Sequence, residues 1–196
     1  WVDTFNLKNL PGIYLQNEWN TLYSVDSYTE SLPDDNSYEP GYEGQKTFPY
    51  DLDKMSRISR KERNYEVLKH TPYGNTYTKD FTIEAIVSEN LGKDDYTDWL
   101  HVNFAVGGYA GNYYSSWSVE MEDIYIRLDQ DIEHFLNFLD EEIGLKNVLV
   151  YLSSDHGVAN EPAHLMNERL PSGYFNYNSA LSLLGTYLNV VYGRSD

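Results

Sequence analysis

The chain has 196 residues, a formal net charge of −17 and no cysteine. A chain of this length buries one substantial core, so one domain, or a domain with an insertion, is expected. The missing thiols exclude disulfides, thiolate metal sites and a cysteine nucleophile in this chain, and so acidic a surface argues against nucleic acid or an anionic membrane as a partner held by bulk charge.

No apolar stretch approaches the roughly 18 residues of a membrane span. The chain opens on Trp1 with no visible signal peptide, as expected of a processed or trimmed piece. A short helix is expected around Asp3–Leu10, stopped by Pro11-Gly12 and followed by the apolar pieces Ile13-Tyr14-Leu15 and Thr21-Leu22-Tyr23. From Ser24 to Tyr50 no period holds, and Asp, Pro, Gly, Ser and Tyr dominate, which is loop composition. A loop of that length is expected to be functional or an insertion. Lys54, Arg57, Arg60, Lys61 and Arg63 then hold five of the fourteen basic residues. They read either as an anion-attracting patch or as a solvated face that balances the acid around it.

Thr78 to Leu91 reads as a helix with Phe81, Ala85, Ile86 and Val87 as its stripe and Gly92 as its stop. Trp99 to Val106 alternates, with Leu100, Val102, Phe104 and Val106 on one side and His101 and Asn103 on the other, and so reads as a strand. The longest helix is expected from about Trp117 to Ile143. Met121, Ile124, Tyr125, Leu128, Ile132, Phe135, Leu136, Leu139 and Ile143 recur at helical spacing. Ser116 or Ser118 can cap it, and Glu120, Glu122 and Asp123 suit the positive end of its dipole. After Gly144, the run Val148-Leu149-Val150-Tyr151-Leu152 reads as a strand buried on both faces of a parallel sheet. Strand, helix and strand make one right-handed crossover, which brings the loop after Val106 beside the loop after Leu152. Beyond Gly157 the chain is expected to be irregular until Asn178, and Ala180 to Tyr192 to form a last helix. Many of the 19 tyrosines fall in polar stretches, which points to an irregular, hydrogen-bonding surface.

The chemistry concentrates at Ser153-Ser154-Asp155-His156-Gly157. A carboxylate beside an imidazole, past the carboxyl end of a strand and ahead of a glycine turn, stands where open α/β sheets place ligands. It suits a divalent metal such as zinc. The other reading is a loop that happens to contain these residues.

The segment from Glu120 to Gly157 contains E-M-E-D-I-Y-I-R-L-D-Q-D-I, a long helix and a strand ending S-S-D-H-G. It resembles the alkaline phosphatase superfamily, close to the PafA-like bacterial phosphatases. The resemblance continues upstream through Thr71-Pro72-Tyr73-Gly74-Asn75-Thr76 and Lys79-Asp80-Phe81, and downstream through Pro171-Ser172-Gly173-Tyr174-Phe175. It implies an alkaline-phosphatase-like α/β sandwich, with helices on a mostly parallel sheet, here incomplete and carrying a capping insertion. Residues 1–70 would be the capping region and 71–196 part of the core.

In that family two zinc ions bridge the transferred phosphate and a Thr or Ser is the nucleophile. The resemblance gives Asp155 and His156 to one zinc. The other zinc takes a D-x-x-x-H pair, and the match at Glu120 and Asp123 places that pair on Gly108 and Asn112. Glycine has no donor and Asn only a neutral amide oxygen, a weak zinc ligand. A one-residue shift does not help, because no Asp, Glu or His lies between His101 and Glu120. The nucleophile and the last His of the family match no position of the chain. His70, His101, His134 and His164 lack a paired ligand in sequence; His101 reads as a core residue and His134 as a surface one.

The implied function is that of a portion of a metal-dependent phosphate-ester hydrolase, periplasmic or secreted, inactive as this chain alone. Its partner would be a small phosphate ester. The alternative is a pseudoenzyme or binding module that keeps the fold and uses its cap or tyrosine-rich surface to hold a partner protein or a phosphorylated ligand.

Overall fold

The computed structural model describes residues 1–57 and 62–193. They form two compact units, Trp1–Ala159 and Asn160–Asp196. In the first, α1 (Val2–Leu7) and α2 (Leu10–Tyr14) lead into β1 (Glu18–Trp19), a 3-10 turn at Val25–Ser27 and a long irregular stretch. There follow β2 (Tyr50–Asp51), α3 (Leu52–Met55), a 3-10 helix at Tyr65–His70, α4 (Tyr73–Glu89), α5 (Val106–Ala110), α6 (Val119–Glu142) and a 3-10 turn at Leu145–Asn147.

Pro11-Gly12 does not end a helix but opens one: Pro11 lies in the first turn of α2, where a missing N–H costs nothing. The helix expected from Thr78 starts five residues earlier, at Tyr73. Its buried positions are Asn75, Lys79, Thr82 and Ile86, so its inward face is mostly polar and carries no apolar period at its start. Gly92 follows with φ at +73°, and its bare Cα lets Ile143 close over the end of the helix.

The helix α6 comes out as expected, with Ser118 accepting from the Met121 N–H as its cap. Its inward face combines Met121, Ile124 and Leu139 with three buried acids, Glu120, Asp123 and Asp131. Trp19, Tyr50 and Tyr114 pack at the centre of the core with ring centroids 5.3–5.8 Å apart. Leu15, Leu52, Val67, Val106, Met121 and Ile124 surround them. Residues before 70 and after 105 thus share one hydrophobic core.

The two expected parallel strands are not paired. Among the described residues the only sheet is the antiparallel pair β1–β2, with Glu18 opposite Asp51 and Trp19 opposite Tyr50. A strand is defined by the neighbour it bonds to, and none lies beside Val148–Leu152, where Leu149 is 96% and Tyr151 86% exposed. Trp99–Ala105 is likewise outside any sheet, and Val106 begins α5 instead of ending a strand. The strand–helix–strand crossover is therefore not closed within this chain.

The second unit holds α7 (Pro162–Asn167), inside a stretch expected to be irregular, and α8 (Tyr177–Tyr192). Asn176 caps α8 by accepting from the Ser179 N–H. Ser172 Oγ donates to the Pro162 carbonyl and Tyr174 OH to Glu161.

Candidate metal centre

The Asp-His-Gly turn follows the unpaired apolar run. Asp155 Oδ1 accepts the His156 N–H at 3.1 Å, and Ser154 Oγ donates to the His156 carbonyl at 2.7 Å. His156 Nδ1 lies 2.8 Å from the Gly157 carbonyl oxygen, so Nδ1 is the nitrogen that donates there. Nε2 sits 3.5 Å from Asp155 Oδ2. Two ligand atoms of a tetrahedral zinc with bonds of about 2.0–2.1 Å stand roughly 3.3 Å apart, a separation that an exposed Asp–His ion pair shows as well. Both side chains are open to solvent, at 89% and 77% exposure.

The expected partner pair lies on and after α5. Gly108 and Asn112 are stacked one turn apart, with Asn112 Nδ2 3.4 Å from the Gly108 carbonyl. A side chain added at Gly108 meets nothing within 4 Å. The space for an Asp exists there, and the carboxylate does not. Among the described residues no three His, Cys, Asp or Glu side chains form a group that could hold a metal ion. The residues present do not fit a two-metal centre, and Asp155 with His156 supplies two ligands where a stable zinc site has three or four.

The other histidines serve different neighbours. His70 lies against the rings of Tyr42, Tyr109 and Tyr113, with a centroid 4.5 Å from that of Tyr113, and burial holds its imidazole below its ordinary pKa. His101, expected in the core, is exposed, in the run that forms no strand among the described residues. His134 is exposed, as its place on the helix suggested, but its Nδ1 is 3.1 Å from Lys79 Nζ. Of the basic cluster, Arg57 and Arg63 both pair with Asp53, and Arg63 also donates to the Gly12 carbonyl, so these two are structural. Arg60 and Lys61 lie outside the described residues.

The motif residues of α6 point elsewhere than to a metal. Glu120 accepts from Tyr50 OH at 2.6 Å. Asp123, fully buried, accepts from Trp19 Nε1, the Leu22 N–H, Tyr28 OH and Arg127 Nε. Arg127 also donates to the Asn20 carbonyl, and Asp131 takes Lys79 Nζ and Thr76 Oγ1. Residues 120, 123, 127 and 131 recur on one helical face and tie the amino-terminal region and α4 to α6. Their spacing was visible in sequence; their partners were not.

The profile of the type I phosphodiesterase / nucleotide pyrophosphatase family matches residues 15–187. The chain belongs to this family. Within it, alkaline phosphatase PafA of Elizabethkingia meningoseptica is 41% identical over 179 residues, 89% of this chain and 32% of that protein. A protein of Myroides odoratus named calcium-transporting ATPase is 40% identical over 200 residues, 100% of this chain and 36% of its own length. The crystal structure of wild-type alkaline phosphatase PafA matches with a TM-score of 0.87 at 37% identity, covering 98% of this chain and 36% of that one. The chain thus spans about a third of the length of the relatives it matches. Its fold is an incomplete portion of the PafA α/β architecture, which accounts for apolar runs without sheet neighbours.

Proposed function

We propose that this chain is part of a metal-dependent phosphate-ester hydrolase whose metal centre is reduced to the Asp155–His156 pair, and that it does not catalyse by itself. The observation that carries the reading is the stack of Gly108 and Asn112, one turn apart where the family places Asp and His. Two-metal phosphoryl transfer needs both ions to hold the attacking and leaving oxygens, and one ligand pair is absent. Residues 1–70 act as the capping region and 71–196 as part of the core. The two-sided apolar character of 148–152 supports its place in a larger parallel sheet. A small phosphate ester is the substrate class, and the periplasm or cell exterior the compartment. The Gly108–Asn112 stack also favours a pseudoenzyme that keeps the fold as a binding module, and activity of the full-length protein separates the two.

The test combines zinc titration with hydrolysis of an aryl phosphate, for the chain, the full-length protein and Asp155→Ala. The chain is expected to bind at most one zinc weakly, to lose it with Asp155, and to hydrolyse nothing. Gly108→Asp with Asn112→His is expected to add zinc affinity, because a side chain at Gly108 meets nothing within 4 Å. Two tightly held zinc ions in the unaltered chain, or hydrolysis by it that needs Asp155, would overturn the proposal.

A further inference from the structure

The amino-terminal helices enclose an open cleft that the metal chemistry does not use. Its volume is about 270 Å³, and Phe5, Asn6, Asn9, Pro11, Tyr65 and Tyr77 line it. These residues come from α1, α2 and the turn between them, from the 3-10 helix Tyr65–His70 and from α4. Phe5 is 2% exposed and is backed by the edge of Phe81, with centroids 5.2 Å apart. The rings of Phe5 and Tyr77 stand 5.9 Å apart, inclined at 43°. Tyr65 is half-exposed.

The polar groups of the lining are unspent. Asn9 holds a left-handed backbone at φ +49°, uncommon for a residue with a Cβ. It stands where an Asn ordinarily caps a helix, yet its side chain makes no capping bond. Its carboxamide lies instead over Gly12, where a Cβ would come within 2.4 Å of Asn9 Nδ2 and 2.7 Å of Oδ1. Among the described residues the carboxamides of Asn6 and Asn9 and the hydroxyls of Tyr65 and Tyr77 take no hydrogen-bond partner. None of the six lining residues is charged, in a chain of net charge −17. The charges close by are spoken for: Lys8, 5.2 Å from the Phe5 ring centroid, is held by Glu84 at 2.6 Å, and Glu66 beside Tyr65 pairs with Lys69.

We propose that this cleft binds a neutral sugar ring. An aromatic face carries negative potential, and the C–H bonds on one face of a pyranose carry the opposite sign. Rings inclined at 43° offer no parallel slot for a flat base, and they suit a puckered ring. A carboxamide presents an acceptor and two donors, and a phenol one donor with an acceptor. That set matches hydroxyls, which both give and accept. An anion would find no free cation in the lining, and a cation no carboxylate. The cleft is smaller than the roughly 300–1,000 Å³ of drug-sized sites, which limits it to a single ring.

The experiment is saturation-transfer NMR on the full-length protein with methyl glucoside, methyl galactoside and methyl mannoside, and with adenosine as the flat competitor. At least one glycoside is expected to saturate in the millimolar range, the affinity open to a ligand of about a dozen heavy atoms. Transfer should be strongest to the ring C–H protons. The affinity should not change with salt, because the ligand carries no charge. Tyr65→Ala removes a ring, and Asn9→Gly removes a carboxamide while leaving a residue at ease with the left-handed backbone. Each should weaken binding by about fivefold, and thermal melting checks that both variants are folded. No saturation by any of the three glycosides, unchanged affinity in both folded variants, or adenosine binding more tightly than every glycoside would overturn the proposal.

Discussion

Asp123→Ala tests whether α6 holds the fold through its acids. The carboxylate is fully buried and receives Trp19 Nε1 at 2.7 Å, the Leu22 N–H at 2.8 Å, Tyr28 OH at 2.5 Å and Arg127 Nε at 2.7 Å. Truncation strands these donors. A buried donor left unpaired costs about 1–3 kcal/mol. Arg127 is 21% exposed, keeps its bond to the Asn20 carbonyl and can rehydrate, so the terms do not simply add. The expected loss is about 3–5 kcal/mol, the range for a buried ion pair broken on one side. That is a large part of a typical domain stability of about 5–15 kcal/mol. Urea unfolding followed by tryptophan fluorescence measures it, since Trp19 is the donor that loses its acceptor. The same change should lower the pKa of Tyr28, which burial and then Asp123 push up to about 12. The control is Asp155→Ala, an exposed acid expected to stay within about 0.5 kcal/mol. A loss below about 1 kcal/mol at Asp123 would refute the reasoning.

Two further outcomes follow from the same packing. Lys79 is 6% exposed and sits 2.9 Å from Asp131, 3.4 Å from Asp80 and 3.1 Å from His134 Nδ1; Lys79→Ala leaves Asp131 buried without its cation and should cost about 3–5 kcal/mol in urea unfolding. Gly92→Ala places a Cβ at φ +73°, 2.9 Å from Ile143 Cδ1, and should cost about 1–2 kcal/mol in thermal melting; no loss there would mean that Ile143 swings aside and the backbone tolerates the strain.

Legibility followed the kind of force that places each residue. The helix α6 and the last helix were readable because water fixes an apolar period along the chain. The start of α4 was not, because Asn75, Lys79 and Thr82 face inward, Lys79 to Asp131 on α6, and a polar inward face looks like a surface in sequence. The runs at 99–106 and 148–152 were read as strands from composition that presupposes neighbours on both sides, and the structure shows both runs unpaired. Asp155 and His156 were legible as a pair because they are adjacent, and the structure places them in contact on an exposed turn.

The acid stripe of α6 has a consequence for how such chains evolve. Glu120, Asp123, Arg127 and Asp131 are each needed to close the core around Trp19, Tyr50 and Lys79. A mutation there costs stability whether or not the protein is an enzyme. Gly108, open on the outside of α5, answers to no such constraint. Selection for a folded chain alone would therefore preserve the long motif and leave Gly108 free to vary, so the motif reports architecture whatever becomes of the chemistry.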